Sequence, residues 1–281
     1  GRTQFKKTRF SEGSILRSRL FEIGYGSKFN ADTVRESSNF ALKVETNFID
    51  LSEVKTEIFY RSTGRNTRIT RGSSLAPYID MPKGMGGYIE FTGPRKPKYI
   101  YSLRFERGKG SEHSPGISWK NSSRAFIKFM PRDNLSFNMS YNHSDEKNWL
   151  NWLDDNLLAT YERKQRTSVF ELEWFKNNKH ELRIKAQLVA FTGRNPTPYL
   201  GDQKGKLTPT NISISPITIS ELAFQVRYRY EIMPLSYLYL VYSKGGRVSL
   251  NDEEDDLSNL YRRPWNDPSD ENFTVKLRYR F

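Results

Sequence analysis

The feature that most constrains the fold of this chain is an alternation of apolar and polar residues with a period of two. Near the C-terminal end, Phe273, Val275 and Leu277 alternate with Thr274 and Lys276. A period of two places successive side chains on opposite faces of a β-strand. Because the same pattern recurs along most of the chain, we expect an all-β protein built from antiparallel strands.

The alternation predicts about thirteen strands. Their spans are residues 3–10, 14–26, 38–48, 53–63, 86–92, 97–107, 119–130, 134–144, 158–176, 179–192, 218–232, 236–246 and 271–281. Helical spacing fits better than strand spacing only in residues 145–158, where Trp149, Leu150, Leu153 and Leu157 recur at intervals of one to four. We therefore expect one short helix there and few others.

The connections between these strands alternate between short and long. Short turns are predicted at residues 49–52, 92–97, 130–133, 176–179 and 233–235, and long loops at 66–83, 107–118, 144–156, 193–216 and 247–270. Outer-membrane barrels have short periplasmic turns and long extracellular loops. The pattern favours a transmembrane antiparallel up-and-down β-barrel that occupies residues 1–281 as a single domain.

Composition agrees with a barrel and excludes several other classes. Only 36% of residues are hydrophobic and the mean hydropathy is −0.74, whereas a soluble domain carries roughly 45–50% apolar residues. A barrel tolerates this polarity because its apolar face is covered by lipid. The chain has no cysteine, which excludes disulfides and thiolate metal sites. It also has no apolar run long enough for a transmembrane helix.

The odd number of predicted strands points to an incomplete barrel. Bacterial single-chain barrels have an even number of strands. Either the count is wrong by one, or a preceding strand lies in an N-terminal portion that this chain lacks. We favour the second explanation, so we expect fourteen or more strands in the intact barrel.

The polar residues of the strands are candidates for the lining of the lumen, and their charge is mainly positive. The basic candidates are Lys43, Lys55, Arg104, Arg183, Lys185, Arg227, Arg229, Lys276, Arg278 and Arg280. A basic lumen would favour anionic solutes. The alternative is a lumen closed by ion pairs between strands, without transport, and the sequence leaves both open.

The net charge of +13 also raises the possibility of a nucleic-acid partner. Single-strand binders need basic and aromatic side chains on the same surface, because bases stack on the rings while cations contact phosphates. Here the alternation places the two residue types on opposite faces. We therefore expect no nucleic-acid partner.

The predicted loops contain two further groups of candidate residues. Trp149, Trp152, Tyr261 and Trp265 could stack on sugars, with anchoring or loop packing as the alternative interpretation. The acidic run comprises Asp252, Glu253, Glu254, Asp255 and Asp256. Carboxylates of this kind bind divalent cations, but the run lacks the spacing of a calcium loop, so a solvated charge run is the favoured interpretation. No cofactor is expected.

An outer-membrane hydrolase is the third functional class. A hydrolase needs a nucleophile, a base and an orienting group within hydrogen-bonding reach. The only histidines are His113, His143 and His180, and His113 lies in a predicted long loop near Ser111 and Ser114. No motif supports a catalytic set, so no residue is predicted to be catalytic and the chain is not expected to be an enzyme.

Two C-terminal segments carry a resemblance to known proteins. The last residues, 275–281, resemble the terminal strand of bacterial outer-membrane proteins, in which the final aromatic residue, here Phe281, is read by the barrel-assembly machinery. Residues 224–243, with Pro234 in the turn, are similar to the penultimate hairpin of an outer-membrane barrel family of unknown function. Members of that family typically carry an N-terminal family-9-like carbohydrate-binding domain, and the resemblance covers about residues 219–281.

This resemblance implies a location in the outer membrane of a Gram-negative bacterium. The expected contacts are the lipid bilayer, lipopolysaccharide, and an N-terminal portion or other outer-membrane subunits. The implied function is that of a channel or membrane scaffold linked to the binding or uptake of extracellular carbohydrate. The alternative is an anchor or partner subunit that binds other proteins through its extracellular loops.

Overall fold

The computed structural model of the protein describes residues 2–10, 13, 15–29, 35–110, 118–253 and 256–280. It is all-β, with 74% of residues in strands and one short helix. The elements are β1 (Arg2–Phe10), β2 (Leu16–Phe29), β3 (Arg35–Phe48), β4 (Glu53–Arg61), β5 (Gly64–Asn66), β6 (Ile79–Met81), β7 (Gly84–Thr92), β8 (Tyr99–Lys109), β9 (Trp119–Arg132), β10 (Leu135–Asp154), β11 (Leu157–Asn177), β12 (His180–Gly201), β13 (Leu207–Pro209), β14 (Ile217–Met233), β15 (Ser236–Leu250), α1 (Leu257–Asn266) and β16 (Asp270–Arg278). Among the described residues, none of the helical segments has the length and hydropathy required to cross a membrane.

The long strands form one antiparallel sheet in which sequence neighbours are also spatial neighbours. The order is β1-β2-β3-β4-β7-β8-β9-β10-β11-β12-β14-β15-β16, and β13 pairs with β12 to bring the sheet to fourteen strands. The short strands β5 and β6 pair separately. Each of the thirteen predicted spans overlaps one long strand, so the predicted all-β class and strand order are confirmed.

The sheet is open in this structure. Within the described residues, β1 pairs only with β2 and β16 pairs only with β15. The closed barrel expected from the sequence is therefore not observed. An edge strand presents unpaired backbone N–H and C=O groups, so each of the two outer strands has one side available for another strand.

The connections sort by length in the predicted way at five positions. Short turns join β3 to β4, β7 to β8, β9 to β10, β11 to β12 and β14 to β15, all at one end of the sheet. Tight turns require unusual backbone angles, and Leu51 and Leu235 adopt positive φ angles of 67° and 65° in two of them. We call this end the turn end and the opposite one the loop end.

The helix predicted at residues 145–158 and the long loop predicted at 144–156 are both wrong, because β10 continues to Asp154 and β11 begins at Leu157. This segment forms the top of the β10–β11 hairpin, which extends far beyond its predicted length. Register shifts between Glu146 and Trp149 and between Trp152 and Asp154 interrupt the alternation. A β-bulge adds one residue to one strand and so changes the parity of the pattern, which explains why apolar residues here mimic helical spacing.

The one helix, α1, lies instead inside the long loop predicted at residues 247–270. Asp256 caps it, because its carboxylate accepts a hydrogen bond of 2.9 Å from the backbone N–H of Ser258. Leu260 is buried on the sheet in a cluster with Leu188, Ala190 and Leu222. The helix therefore covers part of one face of β12 and β14.

A second small core lies at the loop end. Ile79 of β6 packs against Leu150 and Leu158 of the β10–β11 hairpin. The hydroxyl of Ser73 donates a hydrogen bond of 2.8 Å to Asp155, in the turn of that hairpin. The long segment between β4 and β7 thus crosses the sheet at this end and is held by strands several positions away.

Candidate functional site

The register of the sheet assigns the strand side chains to two chemically different faces. Directly paired residues of neighbouring strands lie on the same face. One face, which we call the apolar face, carries large hydrophobic side chains that are exposed. They include Phe40, Leu42, Ile58, Ile89, Leu103, Phe105, Ile127, Met139, Phe273, Val275 and Leu277. The opposite polar face carries the charged and hydroxyl side chains.

The basic residues predicted to line a lumen share the polar face. Register links Lys43 to Glu57 and Lys55 to Glu90, and Arg183 to Arg227. The polar-face candidates within strands are Lys43, Lys55, Arg104, Arg183, Lys185, Arg227, Arg229, Lys276 and Arg278. Arg280 follows the end of β16, where its backbone N–H donates to the Ser236 hydroxyl at 3.0 Å.

Several of these cations form ion pairs with carboxylates of the same face. Arg104 lies 3.3 Å from Glu90 and 3.0 Å from Glu106, and its guanidinium stacks 3.5 Å from the ring centroid of Tyr88. Such pairing holds the long side chains flat along the sheet and offsets much of their charge.

The same arrangement recurs further along the sheet. Lys185 lies 2.7 Å from Glu171, and Arg229 lies 2.8 Å from Glu181, which also pairs with Arg183. Ion pairing therefore extends from β3 to β14. A solute at this face would therefore meet mainly the positive charge of cations that are not ion-paired.

A cluster of cations lies at the loop end of the polar face around a cavity of about 590 Å³. The basic side chains of this cavity, which we call the cationic cavity, are Arg104, Lys120, Arg124 and Arg163. Glu106 is the carboxylate among the lining residues, and the others carry hydroxyl, amide or imidazole groups. Arg124 donates a hydrogen bond of 2.6 Å to Asn142. Because Arg104 is paired with Glu90 and Glu106 and Arg163 with Glu146, Lys120 and Arg124 are the lining cations best placed to meet an anion.

Lys120, Arg124 and Arg163 were absent from the predicted lumen set. Their positions could have been inferred from the alternation, because Arg163 lies an even number of positions before Glu171 and Glu173 on β11 and therefore shares their face. Lys120 and Arg124 likewise alternate in step on β9. Counting parity along whole strands would have placed all three on the polar face.

Beyond the apolar residues, the β10–β11 extension buries an ion pair and an aromatic cluster. Arg163 pairs with Glu146 at 3.2 Å, and burial lowers the pKa of the Arg163 guanidinium while Glu146 opposes that shift. Burial also raises the pKa of Tyr161. Trp149 packs edge-on against Phe191, with ring centroids 5.2 Å apart.

The four aromatic candidates for sugar binding fall into two separate elements. Trp149 and Trp152 belong to strand β10, so their predicted loop position is wrong, and bulges rather than a loop orient them. The indole N–H of Trp152 donates to the backbone oxygen of Asp155 at 2.8 Å. Tyr261 and Trp265 lie on α1, where Trp265 packs edge-on against Phe224 at 5.4 Å.

The acidic run is only partly described. Glu254 and Asp255 lie outside the described residues, as do His113 and Phe281. Of the others, Asp256 caps α1 and the backbone oxygen of Asp252 accepts from the Thr218 hydroxyl at 2.7 Å, while Glu253 is exposed. Among the residues that the structure describes, no group of three or more acidic or histidine side chains is arranged to hold a metal ion.

The two described histidines, His143 and His180, contact aspartate and tyrosine side chains, which are not the usual nucleophiles of a hydrolase. His143 lies on the apolar face with its Nε2 3.9 Å from Asp145. The ring of His180 stacks on Tyr230 at 4.7 Å between centroids and shares a hydrogen bond with the Tyr228 hydroxyl. They lie at opposite ends of the sheet, so they do not form one site.

Comparison with models of known protein families finds no match for this chain, and comparison with curated proteins likewise finds none.

Proposed function

We propose that the chain forms a membrane-spanning β-barrel in a bacterial outer membrane, with its polar face toward the interior and its apolar face toward lipid except where α1 covers β12 and β14. The observation that carries this proposal is the exposure of large hydrophobic side chains in strand after strand. Ile58, Phe105 and Phe273 are 62%, 58% and 67% exposed. Soluble proteins rarely expose apolar patches of more than a few hundred Å², whereas lipid covers such a face in a barrel.

Aromatic residues at the two ends of the apolar face support the same proposal. Tyr99 and Trp174 lie near the turn end, and Trp119 and Trp265 near the loop end. Trp and Tyr concentrate at both membrane interfaces, where the ring contacts acyl chains and the polar atom meets headgroups. In this orientation the loop end faces outward.

Closure of the barrel requires a partner for each outer strand. Backbone groups in the hydrocarbon region must be hydrogen-bonded, so open sheet edges do not occur there. We infer that β1 and β16 pair with each other or with strands of a further portion of the protein. If strands of a further portion complete the barrel, the total can be an even number of fourteen or more, as in other bacterial barrels.

The polar face would then line the interior of a channel or of a closed scaffold. Lys120 and Arg124 of the cationic cavity favour an anion there, whereas ion pairs reduce the free charge of Arg104 and Arg163 in the same cavity and of other cations along the polar face. Single-channel recording of the purified chain in planar bilayers separates the two possibilities. A steady conductance with preference for anions supports a channel, and silence from a demonstrably folded barrel contradicts the channel and favours the scaffold.

An anchor or partner subunit is the second candidate function. It is favoured by the folded extension at the loop end, where Leu158 and Tyr161 are completely buried. A rigid platform of this kind presents a defined surface to another protein. Stoichiometric partners that co-purify with the full chain would support this role, and their loss on shortening the β10–β11 hairpin would locate the contact.

Two further proposals concern carbohydrate binding and hydrolysis. The link to extracellular carbohydrate rests on the resemblance of residues 219–281, and a glycan pull-down that depends on Trp265 would test it. Hydrolase activity, the third candidate, would require His113. Unchanged hydrolysis by the His113→Ala variant would contradict that role.

A further inference from the structure

The cationic cavity has a floor of small hydroxyl side chains. Ser122 of β9 and Ser144 of β10 are direct partners in the register, and both line the cavity. Ser122 lies between the long side chains of Lys120 and Arg124, which follow the same face of β9 at intervals of two. The volume of about 590 Å³ falls within the range of about 300–1,000 Å³ that small-molecule sites occupy.

Neutral hydrogen-bonding groups continue this floor toward β11. Asn142 is the direct partner of Thr167, and Ser144 is the direct partner of Gln165. All four residues line the cavity, and their hydroxyl and amide groups can both donate and accept hydrogen bonds. Together with Ser122 they provide five neutral groups that can bind several hydroxyls of one ligand.

Ion pairs offset the cations on the two outer strands of the cavity. Arg104 of β8 lies 3.3 Å from Glu90 and 3.0 Å from Glu106. Arg163 of β11 lies 3.2 Å from Glu146. An anion that approached either of these guanidinium groups would compete with a carboxylate that is already bound there.

The two inner cations, both on β9, are better placed to meet a ligand. Arg124 donates a hydrogen bond of 2.6 Å to the neutral amide oxygen of Asn142, so its charge is not offset by this contact. Lys120 lies opposite Glu146 in the register, but that carboxylate binds Arg163. Four cations against three carboxylates leave a net positive charge at the cavity, and β9 supplies it.

We propose that the cationic cavity binds a polyhydroxylated anion of monosaccharide size, that is, a sugar acid or a sugar phosphate. The anionic group lies at the β9 cations, because charge-assisted hydrogen bonds to carboxylate or phosphate are the strong ones, and the hydroxyls lie along the neutral floor. A bare inorganic anion would leave the five neutral groups unused, and a neutral sugar would leave the β9 cations without a counterion. This inference rests on the proposed function, since it takes the polar face to line an interior that solutes enter.

The test is isothermal titration calorimetry of the folded full chain in a detergent that has no sugar headgroup. The probes are glucose 6-phosphate and glucuronate, with glucose, inorganic phosphate and acetate as controls. We expect at least one of the two sugar anions to bind roughly tenfold or more tightly than glucose, which makes no charge-assisted hydrogen bond. The same sugar anion should also bind roughly tenfold or more tightly than its bare anion, phosphate or acetate, which cannot use the floor.

Matched variants connect this result to the cavity. The double variant Lys120→Gln/Arg124→Gln should bind the sugar anion no more tightly than glucose. The Ser122→Leu variant should weaken binding by filling the floor without changing charge. The Arg247→Gln variant, which removes a cation from the polar face of β15, should bind like the wild type. Circular dichroism and the heat-dependent gel mobility of folded barrels verify that each variant is folded.

Several outcomes would overturn the inference. These are equal affinity for glucose and both sugar anions, equal affinity for the sugar anions and their bare anions, and unchanged binding in the double variant. Insertion into vesicles, measured separately, distinguishes this failure from failure of the proposed function. A chain that inserts but binds neither sugar anion more tightly than glucose lacks the site, and a chain that binds a sugar anion in detergent but never inserts is not a membrane barrel.

Discussion

The guanidinium of Arg163 lies 3.2 Å from a carboxylate oxygen of Glu146, with only 14% and 2% of the two side chains exposed. The residues face each other across β10 and β11, next to a bulge and beyond the end of the apolar face. Arg163 also lies 5.3 Å from the ring centroid of Trp149. This pair therefore joins the ion pairs of the polar face to the folded extension at the loop end.

Removal of Arg163 alone should destabilise this extension strongly. The Arg163→Met variant leaves the Glu146 carboxylate buried without its partner, which costs about 3–5 kcal/mol in comparable cases. Hydrogen–deuterium exchange of the β10–β11 hairpin should report the loss as faster exchange of its backbone amides.

Two further variants distinguish the effect of leaving a buried charge without its partner from general destabilisation. The double variant Arg163→Met/Glu146→Leu should recover most of the protection, because no unpaired charge remains. The Arg247→Met variant breaks an exposed pair with Glu221 at 3.2 Å and should cost no more than about 1 kcal/mol. Equal losses in Arg163→Met and Arg247→Met would contradict the importance of burial.

Gly246 provides the space in which α1 rests on the sheet. A Cβ atom at this position would overlap the backbone carbonyl of Pro264, whereas a Cβ at the adjacent Gly245 would lie 3.6 Å from its nearest neighbour. The Gly246→Ala variant should displace α1 and increase tryptic cleavage after Arg262. The Gly245→Ala variant should be cleaved at the wild-type rate, and equal cleavage of both variants would show that α1 is not held at Gly246.

The turn between β3 and β4 should show a pH-dependent stability. Hydrogen bonds from the Ser52 hydroxyl and backbone N–H, at 2.6 and 2.9 Å, hold the pKa of Asp50 below its usual value. A carboxylate with a lowered folded-state pKa stabilises the fold above the unfolded pKa of about 3.9. This stabilisation is lost as the pH falls through the lowered value.

The Asp50→Asn variant tests that dependence. Wild type should be more stable than the variant at pH 7. The difference should shrink as the pH falls below about 4, where Asp50 of the unfolded chain begins to be protonated, and should go on shrinking until the pH has fallen through the lowered pKa of the folded state. Urea unfolding midpoints in the same detergent measure both. A difference that stays constant from pH 7 to pH 3 would mean that the Asp50 charge does not matter.

Charge reversal in the cationic cavity should change ion selectivity if the interior conducts. The Lys120→Glu/Arg124→Glu variant should lower the ratio of anion to cation permeability, because it places negative charge beside Glu106. The Lys204→Glu variant makes a like change in an exposed loop and should leave the ratio unaltered. Reversal potentials under a salt gradient provide the measurement, and an unchanged ratio in the first variant would remove the cavity from the conduction path.

Most of the thirteen strands were predictable because each has an alternation long enough to outweigh local propensity. The second strand departs from it at Arg17 and Arg19, where the register of β2 shifts between Leu16 and Ser18. The predicted span at residues 134–144 is the part of β10 before its bulges, where Leu135, Phe137, Met139 and Tyr141 share one face. Beyond the bulge at Glu146 the parity changes. The period of two therefore ends at that bulge, and the apolar residues beyond it fit helical spacing although they form a strand.

Helix α1 was missed although its signal is present. Leu257, Leu260, Tyr261 and Trp265 recur at helical spacing after the capping residue Asp256, as expected for an amphipathic helix with an N-cap. The assembly of the cationic cavity was beyond reach from sequence, because it combines residues of four strands whose register the sequence alone does not determine.

In the proposed barrel, alternate residues of each strand face lipid and an aqueous interior. Because the chain has no cysteine, single cysteines at positions 137, 138, 139 and 140 of β10 can each be labelled in vesicles without background. We predict that labels at 137 and 139 are quenched by brominated lipid and protected from a charged aqueous thiol reagent, and that those at 138 and 140 show the reverse. Equal access of the aqueous reagent to all four positions would contradict the account.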